Sequence, residues 1–542
     1  MSPMHAKHFH KAESETRICT ISGDLRKAMT IELIARNDIK QRDVLKFEAL
    51  LQDSGGIAYN EFSFDNRNDI IVVRAPARLD LMGGIADYCG ANVFEATLSN
   101  AVVMGSQLRQ DEQLQIFSIG VESEGLKPWL RISLNDFYRG DDLKTYGEIN
   151  QFFQRDVKTS WAGYILGAFY VLLKEGKSPL YPPFGKGGKG GFRHGLNMVM
   201  QSDVPMGAGI SSSAAIEIAA MVSINEQYQL NLEPLEIARL AQIVENRVVG
   251  APCGIMDQIT SVAGEEGKVV SILCQPDKIL GLVELPENTY LVGINSRVKR
   301  STAGSAYTDT RTAAFMGLTI LSKEFHLEEL NGYLCRLPVQ EFRQKYWDVL
   351  PKEINGGEFL DRYGETIDPI TTIDPKKTYR VRSRVEHPIY EHARVQQFIE
   401  SMKSAHNAPD LNSAIPYLIK AGKLMYASHW SYRQRVGLGS SNTDVIVNKI
   451  RELGENPPSP SFAKGVQGRF LGAKITGGGG GGTVAALCVG DVSNALEQVI
   501  SHYKAKTGID AEIFTGSSPG AVAFGKLKYR YVCAANRHLR NL

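Results

Sequence analysis

Residues Val204 to Ala215 read VPMGAGISSSAA and combine two features able to hold a phosphate group. Gly207, Ala208 and Gly209 form a turn, and Ile210, Ser211, Ser212 and Ser213 then open an Ala- and Ile-rich, nearly uncharged segment suited to a buried helix. A helix N-terminus presents unpaired N–H groups and the positive end of its dipole, so anions bind there. The serine hydroxyls add donors and can reach a metal ion. The alternative is a tight turn followed by an ordinary capped helix. The lysine of the Walker pattern is missing, so this is not that P-loop.

Three other residues could carry chemistry. Asp257 follows the glycine–proline turn of GAPCGIMDQ (Gly250–Gln258) and sits at the start of a short helix. There it is either a helix-start charge, worth under ~1 kcal/mol, or, with an arginine nearby, an ionised general base. Arg78 lies between an apolar strand and the Gly83–Gly84 turn, where a solvated arginine would not need such neighbours. It is a functional group or half of a structural ion pair. Glu245 stands at the edge of a buried helical stripe, a place where most glutamates are solvated and inert.

The elements that must position these residues follow from hydropathy. Gly195–Ser202 is a short apolar strand leading into the serine loop. From Asp69, DIIVVRAPARLDLMGGIADYCGANVFEATLSNAVVMGSQ reads as strand, glycine turn and strand, with Arg74, Arg78, Asp80, Asp87 and Tyr88 near Gly83, Gly84 and Gly90. Leu114–Gly120, Leu130–Leu134, KVVSILC and TYLVGIN are further strands, and Trp161–Leu173 is a helix. Pro234–Val249 is one amphipathic helix with Ile237, Leu240, Ala241, Val244 and Val248 on its buried stripe. Later helices begin near Pro388 and span Ala414–Trp430 and Asp491–Gly508, whereas residues 318–380 give no sharp signal. In RFLGAKITGGGGGGTVAALCV (Arg469–Val489), six glycines separate two apolar strands. That context favours a backbone loop for close ligand approach over a linker. Ordered structure is expected to begin at Asp69. Residues 1–65 are polar, with one amphipathic helix around Ile39–Leu51, and His5, His8 and His10 read as part of a disordered terminus. FGKGGKGGFRHG (Phe184–Gly195) reads as a flexible connector.

At 542 residues the chain can hold two or more domains. Its 61 basic and 59 acidic residues leave a net charge of +2, which gives no electrostatic case for nucleic acid or an acidic membrane surface. Seven scattered cysteines without a CxxC pair suit free thiols rather than a disulfide framework or zinc site. No apolar leader or 18-residue apolar run is present, so the expectation is a cytoplasmic protein.

Together, RAPARLDLMGGIADY, VPMGAGISSSAA and GAKITGGGGGG resemble the three motifs of the galactokinase, homoserine, mevalonate and phosphomevalonate (GHMP) kinase superfamily. GAPCGIMDQ resembles the signature of its galactokinase branch, including the arabinokinases. The resemblance implies an α+β, two-lobed fold, with a mixed-sheet N-terminal lobe over residues 66–312 and a ferredoxin-like C-terminal lobe over 313–530. Residues 1–65 would be an extension and 531–542 a tail. It implies ATP and Mg²⁺ as cofactors and transfer of phosphate to a monosaccharide's anomeric hydroxyl, L-arabinose first and galactose second. A sugar- and ATP-binding regulator without turnover is the alternative. By position, Asp257 matches the catalytic base and Arg78 its basic partner, while Ser213 and Glu245 match the magnesium-associated pair. Gly478 and Gly479 would join the serine loop in holding nucleotide. Asp87, Tyr307, Gly254, Gly84 and Ile85 would line the sugar site. Galactokinases carry glutamate and histidine where this chain has Gly84 and Ile85, which suits a sugar lacking the exocyclic hydroxymethyl group.

Overall fold

The computed structural model describes residues 29–35, 41–52, 64–179, 191–299, 305–455 and 468–533. The three N-terminal histidines and most of the Phe184–Gly195 connector lie outside them.

A nine-stranded sheet forms the larger layer. At its centre the strand Ile70–Met82 is buried along all 13 residues and pairs antiparallel with Asn92–Leu108. Continuous burial suits its Val- and Ile-rich start, but Pro76 cannot donate to the ladder. The register breaks between Pro76 and Arg78, a bulge that absorbs the missing N–H and re-aims the arginine. Leu196–Ser202 pairs antiparallel with Asn92–Leu108 and parallel with Gln113–Ile119, so the sheet is mixed. The helices Gly163–Lys174, Ser212–Tyr228, Pro234–Ile243 and Met256–Ala263 share one hydrophobic core with it.

The smaller sheet orders Arg469–Ile475, Thr483–Val489, Thr289–Asn295 and Glu512–Phe514, all antiparallel. In chain order this is strand, helices, strand, strand, helix (Ser493–Thr507), strand, which is the ferredoxin-like arrangement. The two sheets interleave along the chain. Thr289–Asn295 precedes residue 312, and Leu527–Cys533 returns to the larger sheet.

Two expectations need correction. Structure does not begin at Asp69: Met29–Ala35 pairs with Leu527–Cys533, and the helix Arg42–Gln52 buries Val44, Phe47 and Leu51 against Tyr529 and Tyr531. Its Asp43 meets the buried Arg74 guanidinium at 2.7 Å, so Arg74 is a structural ion pair. An edge strand buries little and leaves a weak hydropathic trace. The helix placed at Pro388 begins at Val381 and carries that proline as its eighth residue. Burial of Val381, Val385, His387 and Ile389 holds the helix through a residue that ordinarily ends one.

Candidate active site

The bulge in the central strand sends Arg78 into a cleft, where it meets Asp257 at the first turn of Met256–Ala263. Nε donates to Oδ1 and Nη2 to Oδ2, both at 2.8 Å, while Nη1 donates to the Gly209 carbonyl at 2.9 Å. Arg78 is 1% exposed and the Asp257 side chain 16% exposed, so a dry fork holds a carboxylate that still faces the cleft. Burial opposes the Arg78 charge, but Asp257 and Glu95 more than offset it and hold the guanidinium well above its ordinary range. Ser211 Oγ donates to Asp257 Oδ2 at 2.6 Å. Among the described residues Oδ1 accepts only from Arg78 Nε, which leaves it a lone pair.

The serine loop is built as the sequence suggested, with one difference. Ser211 lies at the N-cap of Ser212–Tyr228 in the left-handed region (φ 64°), and among the described residues no side chain caps that helix. Its hydroxyl serves Asp257 instead, leaving the first-turn N–H groups open for an anion. The Ser211 side chain is therefore not the cap of this helix. Gly207 and Gly209 take φ of 75° and 82°, conformations that favour glycine. The glycine loop closes against this turn: a Cβ on Gly482 would fall 2.6 Å from the Ala208 carbonyl, to which Thr483 Oγ1 donates at 2.7 Å.

Pro234–Val249 is not one uniform helix. It widens into a π-turn at Val244–Val249, and Glu245 is turned inward to 4% exposure rather than left at a solvated edge. Ser213 hydrogen-bonds to it. Burial pushes the Glu245 carboxyl up, with Asp257 second and the Ser213 bond opposing. Glu217, one turn along from Ser213, is also buried and pushed up by burial, then by Glu245. One amide, Gln258 Nε2, donates to both, at 2.8 Å to Glu245 and 3.1 Å to Glu217. Among the described residues Glu217 Oε1 and Gln258 Oε1 have no partner. The cluster is short of positive charge. No group of three or more His, Cys, Asp or Glu among the described residues forms a metal cage. A hydroxyl and a carboxylate lining one pocket do fit Mg²⁺, which takes few protein oxygens and completes its shell with phosphate and water.

The same pocket is lined by Ile85, Asp87, Gly254, Tyr307 and Gly478. Asp87 sits on the turn after the central strand and accepts the Tyr88 N–H at 2.7 Å. Burial first, then Asp257, pushes its carboxyl up to about 7, against the Tyr88 N–H, Arg311 and the Met256 N–H. Gly254 must be glycine, because a Cβ there would fall 1.7 Å from Asp87 Oδ2. Arg311 spans the back of the site, bidentate on Asp368 at 2.9 Å and donating to the Cys253 carbonyl at 2.9 Å.

Most of the expected residues therefore converge on one pocket. Gly84 stands behind its wall under Tyr432. Gly479 lies against Leu438, whose carbonyl a Cβ would approach to 2.5 Å. Sequence reasoning missed Glu217, Gln258, Glu95, Lys474, Arg311 and Tyr432, and named Asp80 only as one of the polar residues near the glycine turn. A readable signal existed for Glu217 and Lys474, each the one charged residue of an apolar run. Lys474 meets the buried Asp80 at 2.7 Å, and Asp80 also accepts the Gly477 N–H at 3.0 Å and the Gly84 N–H at 3.2 Å. This ties the Gly84 turn to the glycine loop.

Comparison with known proteins agrees with the geometry. Residues 164–265, which hold the serine loop, Glu245 and Asp257, match the GHMP kinases N terminal domain. Residues 61–106, which hold Arg78, Gly84, Ile85 and Asp87, match the galactokinase galactose-binding signature. An L-arabinokinase of Arabidopsis thaliana is 35% identical over 517 residues, covering 86% of this chain and 47% of that protein. The chain thus spans about half the length of this curated relative. The crystal structure of Lactococcus lactis galactokinase complexed with galactose superposes with a TM-score of 0.61 at 22% identity, covering 84% of this chain and 94% of that one, a likeness of fold. With the serine loop and the Gly84 turn each inside a matched region, the chain carries a GHMP kinases N terminal domain and the galactokinase galactose-binding signature.

Proposed function

We propose that this chain is an ATP-dependent sugar 1-kinase that converts L-arabinose to L-arabinose 1-phosphate. The observation that carries the reading is the Arg78–Asp257 fork, set between an uncapped helix N-terminus and a pocket wall bearing Asp87. Phosphoryl transfer needs positioning and charge stabilisation more than covalent participation. Asp257 Oδ1, with its free lone pair, accepts the anomeric proton. Arg78 orients that carboxylate through its two-pronged hydrogen bond and stabilises charge at the reacting centre. Asp87 takes the ring hydroxyls. The N–H groups of the serine loop hold the phosphates, with Gly478 opposite them. Ser213 and Glu245 would hold magnesium, which would supply charge neutralisation.

Beside the serine loop lies a cavity of about 230 Å³, with Trp161 on one wall and Val204, Pro205 and Met206 on another. Its apolar lining and its position suit the nucleoside of ATP. The lobes are best divided by sheet membership, which assigns Thr289–Asn295 to the second lobe. L-Arabinose is preferred because the arabinokinase is 35% identical and because Ile85 makes one end of the pocket apolar. Galactose is the second reading, favoured by the matched galactose-binding signature. Intact pairing of Arg78 with Asp257 argues against a regulator without turnover. A coupled ADP-release assay across L-arabinose, D-galactose, D-galacturonate, D-glucuronate and mevalonate tests the reading. Sugar-dependent release with L-arabinose leading supports it, and release with mevalonate alone overturns it.

A further inference from the structure

We infer that Tyr432, from the second lobe, sets the size of the sugar pocket and selects aldopyranoses that lack an exocyclic hydroxymethyl group. The inference rests on the sugar-kinase reading above. Gly84 has φ of 49°, and a Cβ built on it would fall 1.6 Å from the Tyr432 hydroxyl. The hydroxyl occupies the room a side chain at position 84 would need. It cannot swing aside cheaply, because it accepts the Ile85 N–H at 2.9 Å and donates to the Gly477 carbonyl at 2.8 Å. The ring is fully buried, with His387 edge-on at 5.2 Å and Lys474 at 5.4 Å from its centre.

Its single O–H is spent on the Gly477 carbonyl and the hydroxyl is fully buried, so it offers a ligand no donor. Ile85, which does line the pocket, packs with Tyr432, Val436, Leu438 and Ile475. Ile85 and the side chains packed behind it make this end of the site closed and mainly apolar. A sugar that gives one hydroxyl to Asp257 and others to Asp87 rests its remaining edge against Ile85. A pentopyranose presents C–H there. A hexopyranose of the same configuration presents a hydroxymethyl group, which meets the apolar Ile85 side chain backed by the Tyr432 closure and loses water against it. Tyr432 lies on the turn Tyr432–Val436, remote in sequence from the Gly84 turn it closes.

The test compares kcat/KM for L-arabinose and D-galactose in the full-length wild type, Tyr432→Phe, Gly84→Ala and the double variant. One extra group in a pocket is worth at least about tenfold. Tyr432→Phe, which keeps the ring but loosens the closure, is expected to raise the galactose-to-arabinose ratio about tenfold, mostly through the galactose KM. The ratio is independent of the folded fraction, because both sugars are assayed on one preparation. Gly84→Ala is expected to impair both sugars, and Tyr432→Phe to restore part of that loss, since the two changes compete for one space. A ratio within twofold of wild type in Tyr432→Phe, or no restoration in the double variant, overturns the inference while a sugar-dependent wild type keeps the kinase reading. A wild type that phosphorylates neither sugar overturns both.

Discussion

Replacing Asp257 by Asn separates the proposed chemistry from simple packing. The side chain keeps its size, but one carboxylate oxygen becomes an NH₂ group. Asp257 now accepts three donors: Arg78 Nε and Nη2 at 2.8 Å and Ser211 Oγ at 2.6 Å. An amide can accept on one side only, so at least one Arg78 N–H is left facing a donor in a buried site. The remaining carboxylate contact is Glu95 at 3.5 Å. Removing one partner of a buried pair costs about 3–5 kcal/mol, and retention of the amide oxygen and Glu95 puts this case near about 3. The catalytic loss is separate. Without a group to take the anomeric proton, kcat is expected to fall ~10²–10⁴-fold. The assay is ADP release at a temperature where the variant's thermal melt shows it folded, with ATP affinity measured alongside by nucleotide binding. Turnover within about a factor of two of wild type, in a folded protein, would remove Asp257 from the reaction.

Three further outcomes are expected. Ser213→Ala and Glu245→Gln should each raise the magnesium concentration needed for half-maximal rate more than they raise the sugar KM, and matching magnesium titrations would return both residues to structural roles. Asp87 has a carboxyl raised from 3.8 to about 7, so between those pH values the folded state binds more protons than the unfolded one and stability falls as pH rises. Asp87→Asn should therefore gain melting temperature relative to wild type from about pH 4 to about pH 7, and a flat difference across that window would contradict the assignment. Gly254→Ala places a methyl group 1.7 Å from Asp87 Oδ2 and should raise the sugar KM about tenfold with the ATP KM little changed. Equal effects on both substrates would count against the proposed position of the sugar.

The residues legible in the sequence are those whose signal is local. The serine loop announced itself by glycines ahead of an uncharged helix, and the glycine loop by the apolar strands on either side. Asp257 could be placed at a helix start because the glycine–proline turn precedes it directly. The inward turn of Glu245 was not legible, because widening a helix at Val244 leaves its apolar stripe unchanged. The use of Ser211 was hidden too. Only its left-handed backbone aims the hydroxyl at Asp257 instead of the helix end. Asp80, Lys474 and Tyr432 act across hundreds of residues, joining the Gly84 turn to the glycine loop, and no window on the chain contains both partners. The helix through Pro388 was misplaced for a related reason: packing against the rest of the fold outweighs the local preference of one proline.

The account stands most directly on where the phosphate goes. L-Arabinose labelled with carbon-13 at its anomeric carbon, incubated with the protein, ATP and Mg²⁺, can be followed by NMR without coupling enzymes. If Asp257 activates the anomeric hydroxyl, the labelled signal moves to that of a sugar 1-phosphate and gains phosphorus coupling as ADP appears. An unaltered anomeric signal while ADP accumulates, or coupling at any other carbon, would contradict the account.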